Sequence, residues 1–126
     1  MKTILVVDDD EGLVQSLTEI LAAEGYNVLS AQNGEEGYLK AREAIPDLML
    51  LDVMMAHDSE GFDIAKRLKQ DQATCKIPVI MVTGIRKAKR LPFGYEPDDD
   101  WLPVKAVLEK PVPPDKLLKC IREVIG

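Results

Sequence analysis

The sequence predicts an α/β domain whose parallel sheet is covered by helices on both faces. Three observations carry this. Ile4-Leu5-Val6-Val7, Leu48-Met49-Leu50-Leu51 and Val79-Ile80-Met81-Val82 are unbroken apolar runs of strand length. A strand without apolar–polar alternation is buried on both faces, the mark of a parallel sheet. Segments of helical periodicity separate the runs, as the crossovers of such a sheet require. Each run also stops at a polar group, at Asp8, Asp52 and Thr83. In open α/β sheets the carboxyl ends of the strands are where ligands bind.

Residues 3–7 form the first strand, with Asp8 to Glu11 in the turn after it. The first helix runs from about Glu11 to Glu24, with Leu13, Leu17 and Leu21 on one stripe and Gly25 as its stop. Residues 26–31 make a short second strand. Asn33 begins a second helix, and Glu36 three positions on completes a capping-box pattern. That helix ends near Ala44, because Pro46 disfavours helix at the residue before it. The central strand, 47–52, follows. A loop leads to a third helix from about Glu60 to Gln70 with Phe62, Ala65 and Leu68 inward. Pro78 opens the fourth strand. Residues 106–109 form a fifth, ending at Lys110, and Pro113-Pro114 start the last helix, striped by Leu117, Leu118, Ile121, Val124 and Ile125. Between Thr83 and Lys110, Pro92, Gly94, Pro97 and Pro103 rule out one continuous helix, so an irregular or shortened fourth helix is expected there.

With 126 residues, the chain is one domain's worth, 1–126. A net charge of -6 and pI near 4.8 disfavour nucleic acid and anionic membranes as partners and suit a protein that holds divalent cations. Cys75 and Cys120 have no metal-ligand spacing, and the initial apolar run is too short for an export signal. A cytoplasmic location is expected. The single histidine, His57, is expected at the surface, as is the basic block Arg86 to Arg90.

If the first and third strands are neighbours, three or four carboxylates, from Asp8, Asp9 and Asp10 on one side and Asp52 on the other, meet at one sheet edge, joined there by Thr83 and Lys110 from the fourth and fifth strands. At about 4 Å and an effective dielectric near 20, each close carboxylate pair repels by about 4 kcal/mol. Such a cluster calls for a cation or a nearby Lys or Arg. Carboxylate oxygens suit Mg²⁺, and an aspartate beside the metal can accept a phosphoryl group as an acyl phosphate while Mg²⁺ and Lys110 neutralise the charge.

ILVVDDD, LMLLDVMM, VIMVTG and LEKPV, in this order, resemble the receiver domain of two-component response regulators across the whole chain, with no room left for an output domain. The resemblance implies a flavodoxin-like doubly wound sheet of order 2-1-3-4-5. It implies Asp52 as phosphoacceptor, fed by a sensor histidine kinase or a histidine phosphotransfer protein. It further implies Asp9 as a direct Mg²⁺ ligand, Asp8 acting mainly through water, and the Met54 carbonyl as another ligand. Lys110 would contact the phosphoryl group, Thr83 would be the switch hydroxyl, and the output would pass to a downstream protein target. Three departures stand out. Ala56 replaces the usual proline, Val107 stands where the family carries its aromatic switch residue, and the interval from Thr83 to Lys110 is long.

Two other functions fit parts of the pattern. Asp8-x-Asp10 after a buried strand resembles haloacid-dehalogenase-type phosphatases, in which Asp8 would be the nucleophile and Asp10 the acid/base; Asp52 would then have no role. A pseudo-receiver would bind partners without phosphorylation. The bland reading of Asp8 to Asp10 is an acidic turn capping the first helix.

Overall fold

The structure, a computed structural model, describes residues 1–52, 60–84, 105–110 and 112–125. Its strands are β1 (Thr3–Val7), β2 (Asn27–Ala31), β3 (Leu48–Asp52), β4 (Val79–Gly84) and β5 (Ala106–Lys110). The described helices are α1 (Glu11–Ala23), α2 (Gly34–Ala44), α3 (Glu60–Gln70) and α4 (Pro114–Ile125). The sheet is fully parallel in the order β2-β1-β3-β4-β5, the flavodoxin-like arrangement. The expected irregular helix between β4 and β5, and with it the basic block Arg86 to Arg90, lies outside the described residues.

The apolar runs sort into two layers because alternate strand residues face opposite sides. Leu5, Val7, Met49, Leu51 and Met81 pack with Ala41, Ile64, Ala65 and Leu68 of α2 and α3. Ile4, Val6, Leu48, Leu50 and Ile80 pack with Leu17, Leu21, Leu117, Leu118 and Ile121 of α1 and α4. All four apolar residues of β3 are buried, so the central strand has no solvent face. Val107 packs against the α2–α3 side, as an aliphatic core residue.

Local chemistry sets the helix ends. Asp10 caps α1, its side chain accepting from Leu13 N–H, and Gly25 follows α1 at φ 91, a left-handed conformation that glycine adopts without a Cβ penalty. Asn33 caps α2 by accepting from Glu36 N–H at 2.8 Å. The return half of the expected capping box is replaced, because the Glu36 carboxylate pairs instead with Lys40 one turn on, at 3.2 Å. Asp47 lies outside β3; its carboxylate accepts from Thr3 N–H at 2.7 Å and ties the start of β1 to the third strand's approach.

Gly37 of α2 sits directly on Val7, the last residue of β1. A Cβ at Gly37 would lie 2.7 and 2.9 Å from the two γ-carbons of Val7. Valine's branched side chain has no spare rotamer to retreat into. Gly37→Ala is therefore expected to destabilise the fold by about 1–2 kcal/mol, the overpacking cost exceeding the gain in helix propensity. Urea denaturation checks it, and a midpoint at or above the parent's would contradict the close contact.

On the outer side, α2 and α3 are linked by polar groups. Tyr38 O–H donates to Asp71 at 2.5 Å, Arg42 pairs with the same carboxylate at 3.0 Å, and Arg67 pairs with Glu35 at 2.7 Å. The Arg67 guanidinium also lies 4.2 Å from the Tyr38 ring centre. The Tyr38 hydrogen bond, then the Ala73 N–H and Arg42, hold the Asp71 carboxyl below its ordinary value of 3.8, and Arg67 holds Glu35 below 4.5. A carboxylate with a depressed folded-state pKa stabilises the fold above its unfolded pKa and loses that contribution as pH falls through the folded one. Thermal melts below about pH 4 should thus show stability falling with acid, and Asp71→Asn should flatten that limb. An unaltered acid limb in the variant would remove Asp71 from the account.

Candidate functional site

The parallel register decides what meets at the carboxyl edge of the sheet. Val7 of β1 aligns with Leu51 of β3, so Asp8 and Asp52 each fall one step beyond aligned partners on adjacent strands. Asp8 is 3 % exposed and Asp52 2 %, while Asp9 is exposed. One carboxylate oxygen from each of Asp8, Asp9 and Asp52 lies within 4.8 Å of the others. The Asp8 carboxylate is oriented from below by the Asp10 backbone N–H, which donates to its Oδ1 at 2.9 Å. Backbone pairing of Asp8 N–H with the Ala31 carbonyl fixes the same turn from the β2 side, at 3.1 Å.

Three carboxylates this close repel by about 3 kcal/mol per ionised pair at an effective dielectric near 20. Two of them are also removed from bulk water, which raises the cost of leaving the charge unbalanced. A hard divalent cation answers both problems, and three oxygen donors from carboxylates match the preference of Mg²⁺ or Ca²⁺ rather than of softer metals. The donor set therefore fits Mg²⁺.

The triplet of acids read together in the sequence divides in the fold. Asp8 and Asp9 join Asp52, whereas Asp10 is spent on capping α1. The signal for that division was available in the position of Asp10 immediately before the α1 periodicity. Thr83 and Lys110 occupy the ends of β4 and β5, where Thr83 aligns with Glu109 and Gly84 with Lys110, one and two steps beyond the Asp52–Val82 pairing. Met54, Ala56, His57 and Phe62 carry expectations that lie outside the described side chains.

A doubly wound parallel sheet with an acidic, cation-fitting pocket at the carboxyl ends of β1 and β3 defines a class of ligand-binding α/β domains. Within that class the chain belongs to the response regulator receiver domain family, which residues 4–122 match. Protein PilH of Pseudomonas aeruginosa is 36 % identical over 129 residues, a match covering 100 % of this chain and 99 % of PilH. The phosphate regulon transcriptional regulatory protein PhoB of the same organism is 34 % identical over 125 residues, covering 98 % of this chain but 52 % of PhoB. A CheY-like response regulator receiver domain protein from Methanospirillum hungatei JF-1 superposes with a TM-score of 0.76 at 31 % identity, covering 98 % of this chain and 92 % of that one. Receiver domains are signalling domains that take a phosphoryl group from histidine kinases or phosphotransfer proteins and typically bind Mg²⁺ at an acidic pocket. No described helix is long and apolar enough to cross a membrane.

Proposed function

We propose that the chain is a phosphorylation-controlled switch whose acceptor is the Asp52 carboxylate. The observation that carries this reading is the meeting of Asp8, Asp9 and Asp52 oxygens within 4.8 Å at the end of a doubly buried strand. Asp8, Asp9 and Asp52, with the backbone carbonyl of Met54, would hold Mg²⁺. When bound, the cation supplies charge neutralisation for the phosphoryl oxygens. An Asp52 carboxylate oxygen forms a bond to phosphorus as the bond to the donor's imidazole nitrogen breaks, and the imidazole leaves as the free side chain of the kinase or phosphotransfer protein. Lys110 offsets the added charge with its amine. The Thr83 hydroxyl donates to the phosphoryl group and biases a two-state equilibrium of the segment that follows β4, remodelling the face made with β5 and α4 that a downstream protein reads. Val107 leaves that equilibrium without an aromatic reporter on β5. The unit acts in the cytoplasm, with neither nucleic acid nor membrane as a direct partner.

The phosphatase alternative assigns the nucleophile to Asp8 and proton transfer to Asp10. The Asp10 carboxylate is already engaged with Leu13 N–H as the α1 cap, 3.1 Å away, which disfavours a proton-transfer role. Incubation with acetyl phosphate and Mg²⁺, followed by mass spectrometry, tests both. Label present at a reduced level in Asp8→Asn and absent from Asp52→Asn supports the switch; the reverse pattern supports the phosphatase; no label on the parent chain supports a pseudo-receiver.

A further inference from the structure

We propose that the end of the sheet opposite the acidic cluster carries a second recognition site, a groove for an extended acidic peptide segment of a partner protein with apolar side chains between its carboxylates. Two adjoining cavities form it. One, of about 280 Å³, has Leu68, Ile77 and Val79 in its lining and Lys69, Lys76 and Lys105 among its polar groups. The other, of about 310 Å³, includes Ile45, Pro46 and Pro78. They share Lys76, Ile77 and Pro78, so the depression continues from the end of α2 past the starts of β3 and β4 to the approach of β5.

Charge names the occupant. The chain as a whole carries -6, yet all three lysines at this depression are exposed and none forms an ion pair among the described residues. Asp47, the acid in the second cavity, is already engaged by Thr3 N–H at 2.7 Å. The apolar part of the lining, smaller than the polar part, leaves a place for side chains that alternate with carboxylates, the pattern an extended strand presents.

Ile45 supplies an independent observation. It closes α2 at φ 45, the one non-glycine positive φ among the described residues, and its side chain is 50 % exposed. Glycine or asparagine is the economical choice at such a left-handed helix end, and a β-branched residue is strained there. A half-exposed, strained isoleucine lining this depression gains little from the domain's own core. A partner's apolar residue would give it a contact.

The test uses the full chain and a fluorescein-labelled peptide of about ten residues alternating glutamate and leucine, with the matching lysine–leucine peptide as control. Fluorescence anisotropy should show saturable binding of the acidic peptide and none of the basic one. Lys76→Glu should weaken it by about tenfold, and Ile45→Gly by about fivefold. The glycine variant should at the same time raise the urea midpoint, because it relieves the left-handed strain. A purely structural Ile45 would give the higher midpoint with unchanged affinity, and that result overturns the proposal. Equal binding of the two peptides, or a Lys76→Glu affinity within twofold of the parent, overturns it as well.

Discussion

Asp52→Asn should abolish phosphoprotein formation while leaving a folded domain. The amide has nearly the shape of the carboxylate, so β3 keeps its place between β1 and β4, held by the buried Leu48, Met49, Leu50 and Leu51. What disappears is chemistry: an amide is not an anionic nucleophile and forms no stable acyl phosphate. The same change removes one of the three converging donors. In the parent chain, Mg²⁺ at about a hundred times its dissociation constant should add about 2.7 kcal/mol to stability by mass action. Asp52→Asn should lose most of that gain, and Asp9→Asn should lose it with the acceptor oxygen still present. Calorimetric melts with and without Mg²⁺ read both effects. Label persisting on Asp52→Asn, or a Mg²⁺ shift identical to the parent's, would move the phosphoryl chemistry away from this strand end.

The second large effect concerns the core that holds the site. Leu50 is 2 % exposed, aligned with Val6 on one side and Ile80 on the other, and belongs to the layer under α1 and α4. Leu50→Ala should cost about 2–5 kcal/mol, the lost transfer free energy plus the cavity left between strand and helices. Against a total stability of about 5–15 kcal/mol for a domain of this kind, that is a large share. Leu39→Ala, on a side chain 54 % exposed, should stay within about 0.5 kcal/mol and serves as the matched control. Urea midpoints at constant slope measure the difference. A Leu50→Ala loss no greater than that of Leu39→Ala would mean that β3 is not enclosed on both faces.

Much of the fold is legible in the chain because its signals are local. Runs of four apolar residues mark strands, Asn33 and Gly25 mark a helix start and a helix stop, and Pro114 opens α4; each acts within a turn or two of itself. The candidate site was partly legible for a similar reason: a carboxylate at the end of a buried strand must lie at the sheet edge. Some details needed more than spacing. Glu36 fits a capping box as well as an i,i+4 pair with Lys40, and side-chain geometry chose the second. Asp47 reads as the start of β3, yet its carboxylate is committed to Thr3 N–H.

By itself, then, the sequence determined the alternation of elements, the buried character of β1, β3 and β4, and the residue types at their carboxyl ends, since periodicity and capping depend on neighbours a few residues away. Only the tertiary structure decided that Asp8 and Asp9 meet Asp52 while Asp10 turns to cap α1, that Gly37 lies on Val7, and that Tyr38 reaches Asp71 across 33 positions of chain. Those contacts follow from strand order and helix packing, which long-range burial fixes and no local pattern encodes.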